Sequence, residues 1–247
     1  MPDELARRQA VEIDFWRTSA TERPGSDAVE NIVNKAADAA VFLDLLTRYG
    51  TLFGGAARIL ELGGGQGWAS CLVKRRHPSA FVVTTDISPH AVASVRKWER
   101  VFDTKLDGAR ACRSYELGVA DDSLDLIFCF AAAHHFAAHR RTLAEVRRVL
   151  RPGGHCLYLY EPSCAAPLHA AARWRVNRKR PEVPEDVLVS ARIRRLAREV
   201  GLDCRVEFYP SVARRGPFET VYYAALAVLP PLQRLLPCTA NYLFTRA

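Results

Sequence analysis

The chain has 247 residues, 49% hydrophobic and 25% charged, proportions of an ordinary globular protein that exclude a collagen, a coiled coil and a disordered tail. Its net charge of +8 is unevenly spread: residues 1–139 carry 16 Lys and Arg against 18 Asp and Glu, and residues 140–247 carry 19 against 9. A basic second half admits an acidic substrate, a nucleic acid or a membrane surface, beside plain solvated helix faces rich in arginine.

In chain order, the first 50 residues read as helices: a charged one through Trp16, a break at Pro24-Gly25, and a second from Asp27 to Tyr49. In the second, Val29, Ile32, Val33, Ala36, Ala40, Phe42, Leu43 and Leu46 recur at helical spacing, and Gly50 supplies a stop. From Arg58 the pattern changes. Strands are predicted at 58–62, 80–86, 109–113, 124–131 and 154–160, with helices at 67–76, 89–102 and 139–150. This alternation is that of βαβ units, hence a doubly wound, mostly parallel α/β sheet with helices on both faces. The apolar runs Leu126 to Ala133 and Cys156 to Tyr160 suit strands buried on both sides. After Pro162 an arginine-rich helical stretch occupies 165–200, and Arg151 to Gly154 reads as a turn. Strands at 204–209 and 241–245, with an apolar helix over 218–229 between them, complete a seven-stranded sheet. The organisation expected is a helical N-terminal cap (1–50) and one domain (51–247) with a substrate-side insertion at about 163–200.

The seven cysteines form no C-x-x-C pair and no zinc spacing, so no metal is expected and a reduced, cytoplasmic chain is. Met1 to Ala10 lacks the apolar core of a signal peptide. No apolar run reaches the ~18–20 residues of a membrane span; Val221 to Leu229 stops at Pro230-Pro231.

The strongest motif is ELGGGQG, Glu61 to Gly67, directly after the strand ending at Leu62. Gly63, Gly64, Gly65 and Gly67 let backbone lie against a ligand, and the following helix offers its free N–H groups. The sixth position of a dinucleotide fingerprint is Trp68, and a P-loop's Lys-Ser/Thr is missing, so neither of those phosphate sites is present. Asp86 ends the next strand, where its carboxylate can accept from both hydroxyls of a ribose or cap the helix near Pro89, as Ser88 also can.

With ILELGGGQG, VTTDIS (Val83 to Ser88), DDSLDLIFCFAAAHHF (Asp121 to Phe136) and LAEVRRVLRPGGHCLYLYEP (Leu143 to Pro162) in this order and spacing, the chain resembles the class I S-adenosylmethionine-dependent methyltransferases of the small-molecule type. The resemblance covers about residues 57–162 and implies their Rossmann-like fold and S-adenosylmethionine as cofactor. It places Glu61 and the loop of Gly63, Gly64, Gly65, Gln66 and Gly67 on the methionine part and Asp86 on the ribose, with Ile87 and Ala131 completing the cofactor wall. One position departs from the family. The acidic residue that commonly binds the adenine amino group falls at Arg113, which accepts no hydrogen bond, so adenine is left to the groups around Ser114 and Tyr115 or to stacking.

His134 and His135 follow the fourth strand on the cofactor side of this fold, and histidine suits a base that removes a proton from a hydroxyl or amine acceptor. Glu161 closes the fifth strand at the same edge, positioned to orient a histidine, bind substrate or pair with an arginine of the insertion. His134, His135 and Glu161 are therefore the catalytic candidates, and Trp16, Tyr160 and Trp174 the substrate-binding ones. Trp98 reads as packing in a core helix. The function expected is methyl transfer to an oxygen or nitrogen of a small molecule, an acidic one being among the candidates. Two alternatives stand beside it: an RNA or protein methyltransferase using the basic half, and a non-catalytic S-adenosylmethionine-binding protein. AAAHHF lacks the Asn/Asp-Pro-Pro-aromatic signature of amino-methylating nucleic-acid enzymes, which makes nucleic acid the weaker partner.

Overall fold

Short, nearly continuous apolar segments build one sheet, and its two faces set the architecture. The strands are β1 (Arg58–Leu62), β2 (Phe81–Asp86), β3 (Gly108–Ala111), β4 (Leu124–Phe130), β5 (Leu150–Cys164), β6 (Leu188–Val189), β7 (Leu202–Phe208) and β8 (Cys238–Arg246). They lie in the order β3-β2-β1-β4-β5-β8-β7, with two-residue β6 pairing β5. All neighbouring pairs are parallel except those of β8, which runs against both β5 and β7. The computed structural model describes all residues except Met1, Gly25, Asp27, 180–182, Pro184 and Arg214, and the side chains of Pro2, Asp3 and Lys179.

The helices are α1 (Pro2–Thr18), α2 (Val29–Arg48), α3 (Gly50–Gly54), α4 (Trp68–Arg76), α5 (Pro89–Ala93), α6 (Val95–Val101), α7 (His139–Val149), α8 (His169–Lys179), α9 (Ser190–Glu199), α10 (Pro217–Val228) and α11 (Pro230–Gln233). Alternate residues of β4 serve opposite cores. Leu126, Phe128 and Phe130 pack under α2, α3 and α4, while Ile127 and Cys129 pack with α7 and α9. Such double burial explains the continuous apolar run that the sequence shows. Phe42 of α2 is fully buried against Trp68, Phe128 and Phe130, with ring centroids 5.4–5.7 Å apart.

Several expectations are corrected in detail. The buried stripe of α2 is Asn31, Ala39, Val41, Phe42, Leu45 and Leu46, whereas Val29, Ile32, Val33 and Leu43 are exposed. Helical period alone gives the angle between apolar residues but not which stripe meets the sheet. The expected start at Asp27 and the Gly25 of the break lie outside the described residues. Gly50 opens α3 instead of ending the helical region. The predicted helix over 89–102 is two, α5 and α6, divided at Ser94. Arg151 to Gly154 lie within long β5, where the register to β4 shifts between Leu124 and Leu126. The stretch 165–200 is α8, β6 and α9 in place of continuous helix.

Candidate active site at the carboxyl edge of the sheet

Between β1 and β4 the strand order reverses, and the loops leaving the carboxyl ends of these strands part to leave a crevice, the usual ligand site of a doubly wound sheet. Here it is a cavity of about 780 Å³. The glycine loop forms one wall: Gly63, Gly64, Gly65 and Gln66 line it, while Gly67 lies behind as the residue before α4. Gly65 has φ 54°, and a Cβ there would stand 3.0 Å from the Trp16 ring, so any side chain at this position is strained.

The two carboxyls after β1 and β2 are buried and differently engaged. Glu61 Oε2 accepts from the Ser70 hydroxyl at 2.5 Å and the Thr84 hydroxyl at 2.9 Å, so it braces the loop from beneath as well as lining the cavity. Asp86 accepts from the backbone N–H of Gly65 at 2.9 Å through one oxygen and of Ser88 at 2.8 Å through the other. The cap of α5 is Ser88, whose hydroxyl accepts from Ala91 N–H, so Asp86 is left to the loop and the cavity. Burial raises both carboxyls, Glu61 to about 7 and Asp86 to about 6.

Ile87, Ser114, Tyr115 and Ala131 also line the cavity. The Tyr115 hydroxyl accepts from Gln9 of α1 at 2.8 Å, and Arg141 stacks on its ring. Arg113 points away and pairs with Glu116. Gln66 ties elements together: its amide donates to Glu22 and accepts from the Trp98 indole.

Opposite the loop stands α1. Trp16 and Glu12 are four residues apart, on one helix face, and both line the cavity. Glu12 is raised to about 7, first by burial and then by the nearby Asp86 charge. Its Oε2 lies 3.5 Å from Nδ1 of His135.

His134 and His135 occupy a short 3-10 turn after β4, Ala133–His135. Glu161, fully buried on β5, holds that turn. Its carboxylate accepts from the backbone N–H of Ala132, Ala133 and His134, and from His134 Nδ1 at 2.8 Å. Since a carboxylate only accepts, Nδ1 of His134 carries the proton and Nε2 holds a lone pair. His134 and His135 line the cavity, whereas Glu161 does not; it acts on His134. Burial opposes charge on His134, but the bond and charge of Glu161, with Glu185 and Glu12, outweigh it and raise its pKa. The strand ends beside this turn are strained: Ala131 has φ 47° and Tyr160 φ 58°, a region costing a non-glycine residue roughly 1–3 kcal/mol. Tyr160 sits at the irregularity in β5–β8 pairing, where its N–H turns to Asn241 Oδ1 and its ring stacks on Phe130. Tyr160 lines the cavity; Trp174 does not, being 64% exposed beneath the Arg178 guanidinium.

Residues 60–158, β1 through most of β5, match the model of a family described as a methyltransferase domain. Over 123 residues the chain is 32% identical to the phthiotriol/phenolphthiotriol dimycocerosates methyltransferase of Mycobacterium leprae, covering 49% of this chain and 42% of that one. Over 119 residues it is 34% identical to the ubiquinone/menaquinone biosynthesis C-methyltransferase of Bordetella avium, covering 47% and 46%. The matches thus span under half the length of these curated relatives. Among solved structures, the geranyl diphosphate C-methyltransferase of Streptomyces coelicolor superposes with a TM-score of 0.67 at 11% identity, over 97% of this chain and 98% of that one. This likeness establishes the Rossmann-like fold for nearly the whole chain.

The matched segment contributes the glycine loop, Asp86, Ile87, Ser114, Tyr115, Ala131 and the two histidines, while α1, residues within 160–185, Arg215 and Thr239 add wall from outside it. Glu12, Glu185, Arg8 and Arg215 are cavity residues that the sequence reading missed. For Glu12 a signal existed in its four-residue spacing to Trp16. For Glu185 and Arg215 there was none, because long connections bring them to the edge.

Proposed function

We propose that the chain transfers a methyl group from S-adenosylmethionine to an oxygen or nitrogen of a small-molecule acceptor. The observation that carries this reading is a single cavity whose wall holds both the glycine loop with Asp86 and the lone pair-bearing His134. Its volume falls within the roughly 300–1,000 Å³ of small-molecule sites. The cofactor, when bound, supplies an electrophilic methyl on a sulfonium. The residues present suit it: Gly63, Gly64 and Gly65 line the cavity with bare backbone that leaves room beside them, and Asp86 stands in the same wall to accept from ribose hydroxyls. Ile87, Ser114 and Tyr115 would hold the adenine, and Ala131 would complete the cofactor wall.

Methyl transfer is an in-line displacement, so alignment supplies much of the rate. Trp16 and Phe136 exclude water. His134 Nε2 takes the acceptor proton, and Glu161 at Nδ1 stabilises the imidazolium that results. Arg215, which stacks on Tyr223 and reaches the Tyr160 hydroxyl at 3.4 Å, offers a cation to an acidic acceptor. A carbon acceptor is a second reading, favoured by the likeness to the C-methyltransferase of Bordetella avium. It too loses a proton to the same base.

The test is incubation with methyl-labelled S-adenosylmethionine and cellular small-molecule, RNA and protein fractions. Label in a small molecule supports the reading, and NMR of the product distinguishes oxygen, nitrogen and carbon. Label confined to RNA or protein, or in nothing, contradicts it. His134→Ala is expected to slow transfer about 10²–10⁴-fold while leaving cofactor affinity unchanged.

A further inference from the structure

The densest group of metal-ligating side chains among the described residues is His134, His135 and Glu185, and the expectation of no metal from cysteine spacing did not address it. One ligand atom from each lies within 4.8 Å of the others. All three line the cavity, His134 being 7% exposed. The two rings stand 4.2 Å apart, centroid to centroid.

We infer that His134, His135 and Glu185 form a binding site for a first-row transition-metal ion, one that goes beyond the methyl-transfer reading and does not depend on it. Two independent observations carry the inference. The first is the donor set. Metal–nitrogen and metal–oxygen bonds of roughly 2.0–2.2 Å place neighbouring ligand atoms of a tetrahedral ion roughly 3.4 Å apart, so small side-chain rotations close the present cluster onto an ion. Two imidazoles and one carboxylate suit zinc, cobalt or iron, whereas magnesium prefers oxygen ligands and keeps its water.

The second observation is the support behind His134. A ligating histidine usually donates its other ring N–H to a carboxylate, which fixes the ring and raises its basicity. Glu161 does this for His134 at 2.8 Å, and is itself held by three backbone N–H groups. The chain therefore already has a carboxylate–histidine pair aimed into a cavity. Glu185 is held beside it: its N–H donates to Asn177 Oδ1, its carbonyl accepts from Asn177 Nδ2, and the next N–H, of Asp186, donates to the His134 carbonyl. Glu12, 3.5 Å from His135, adds a further carboxyl to this wall. Three protein ligands leave the ion's remaining position open to the cavity. An ion at Nε2 takes the lone pair assigned above to the acceptor proton, so the metal-filled and proton-accepting forms exclude each other at one atom.

The full chain, stripped with a chelator and dialysed, is titrated with cobalt(II) alone while its visible d–d absorption is followed, and zinc(II) is then added as competitor. The expected result is saturation at one ion per chain and displacement by zinc. His135→Ala and Glu185→Gln should each weaken binding about tenfold or more. His155→Ala, at a histidine bonded to Thr245 on β8, should bind as the unaltered chain does. Circular dichroism and thermal unfolding of each variant separate lost ligands from lost fold. Absence of a saturable band, or unchanged affinity in both ligand variants, overturns the site. Since no methyl transfer is read, its failure leaves the proposed activity standing, and the reverse also holds.

Discussion

Glu12, Glu61 and Asp86 are carboxyls in the cavity wall whose burial raises them to about 7, 7 and 6. A carboxyl raised on folding binds its proton more tightly in the native state, so its contribution is fully present below the unfolded value near 4.5 and is lost as pH rises through the folded value. His134, also raised, acts in the same direction: its contribution holds below about 6.5 and fades above that. Stability of the free chain is therefore expected to fall between about pH 4.5 and 7. Glu61→Gln, which stays neutral, should flatten that slope by up to roughly 3 kcal/mol at pH 7. Denaturant unfolding across this range checks it; an unchanged slope contradicts the raised Glu61. Gly64 makes a second residue-scale case, since a Cβ there would stand 2.5 Å from Glu61 Oε2 and against the Thr84 hydroxyl. Gly64→Ala is expected to lower the melting temperature and abolish cofactor binding together, because loop and carboxyl cannot both keep their places.

The elements divide by what they bury. Phe42 anchors α2 in the aromatic cluster under β4, so Phe42→Ala should cost about 3–5 kcal/mol in equilibrium unfolding. Among the described residues, α1 enters no buried apolar cluster and touches the cavity instead, Gln9, Glu12 and Trp16 included. Trp16→Ala should therefore leave unfolding nearly unchanged while weakening S-adenosylmethionine binding, measured by calorimetry; the opposite pattern would make Trp16 a packing anchor. These two helices also mark where the sequence was legible. β1, β2, β4 and the glycine loop were readable because a short, nearly continuous apolar run, a glycine run and a terminal acid are local signals. The buried face of α2, the break at Ser94 and the place of Glu185 depend on what each segment meets across the fold, which no local spacing encodes. Glu161 was legible as a partner for a histidine but not as the acceptor of three backbone N–H groups.

At the scale of the whole molecule, the excess positive charge lies largely away from the cavity. Arg173, Arg175 and Arg178 of α8 are exposed, and among the described residues of the arginine-rich stretch 165–200 those that line the cavity are Val176, Val183 and Glu185. The cations that do are Arg8, Lys35 and Arg215. For an acidic acceptor, Arg215→Ala should raise KM with kcat little changed, while neutralising Arg173 and Arg178 leaves both as they were. No helix among the described residues is long and apolar enough to cross a membrane. The measurement that bears most directly on the account is calorimetric titration of the purified chain with S-adenosylmethionine, alongside Asp86→Ala. One molecule bound per chain, with affinity reduced tenfold or more in the variant (about 1.4 kcal/mol), is the expected result. No binding, or equal binding by both proteins, would contradict it.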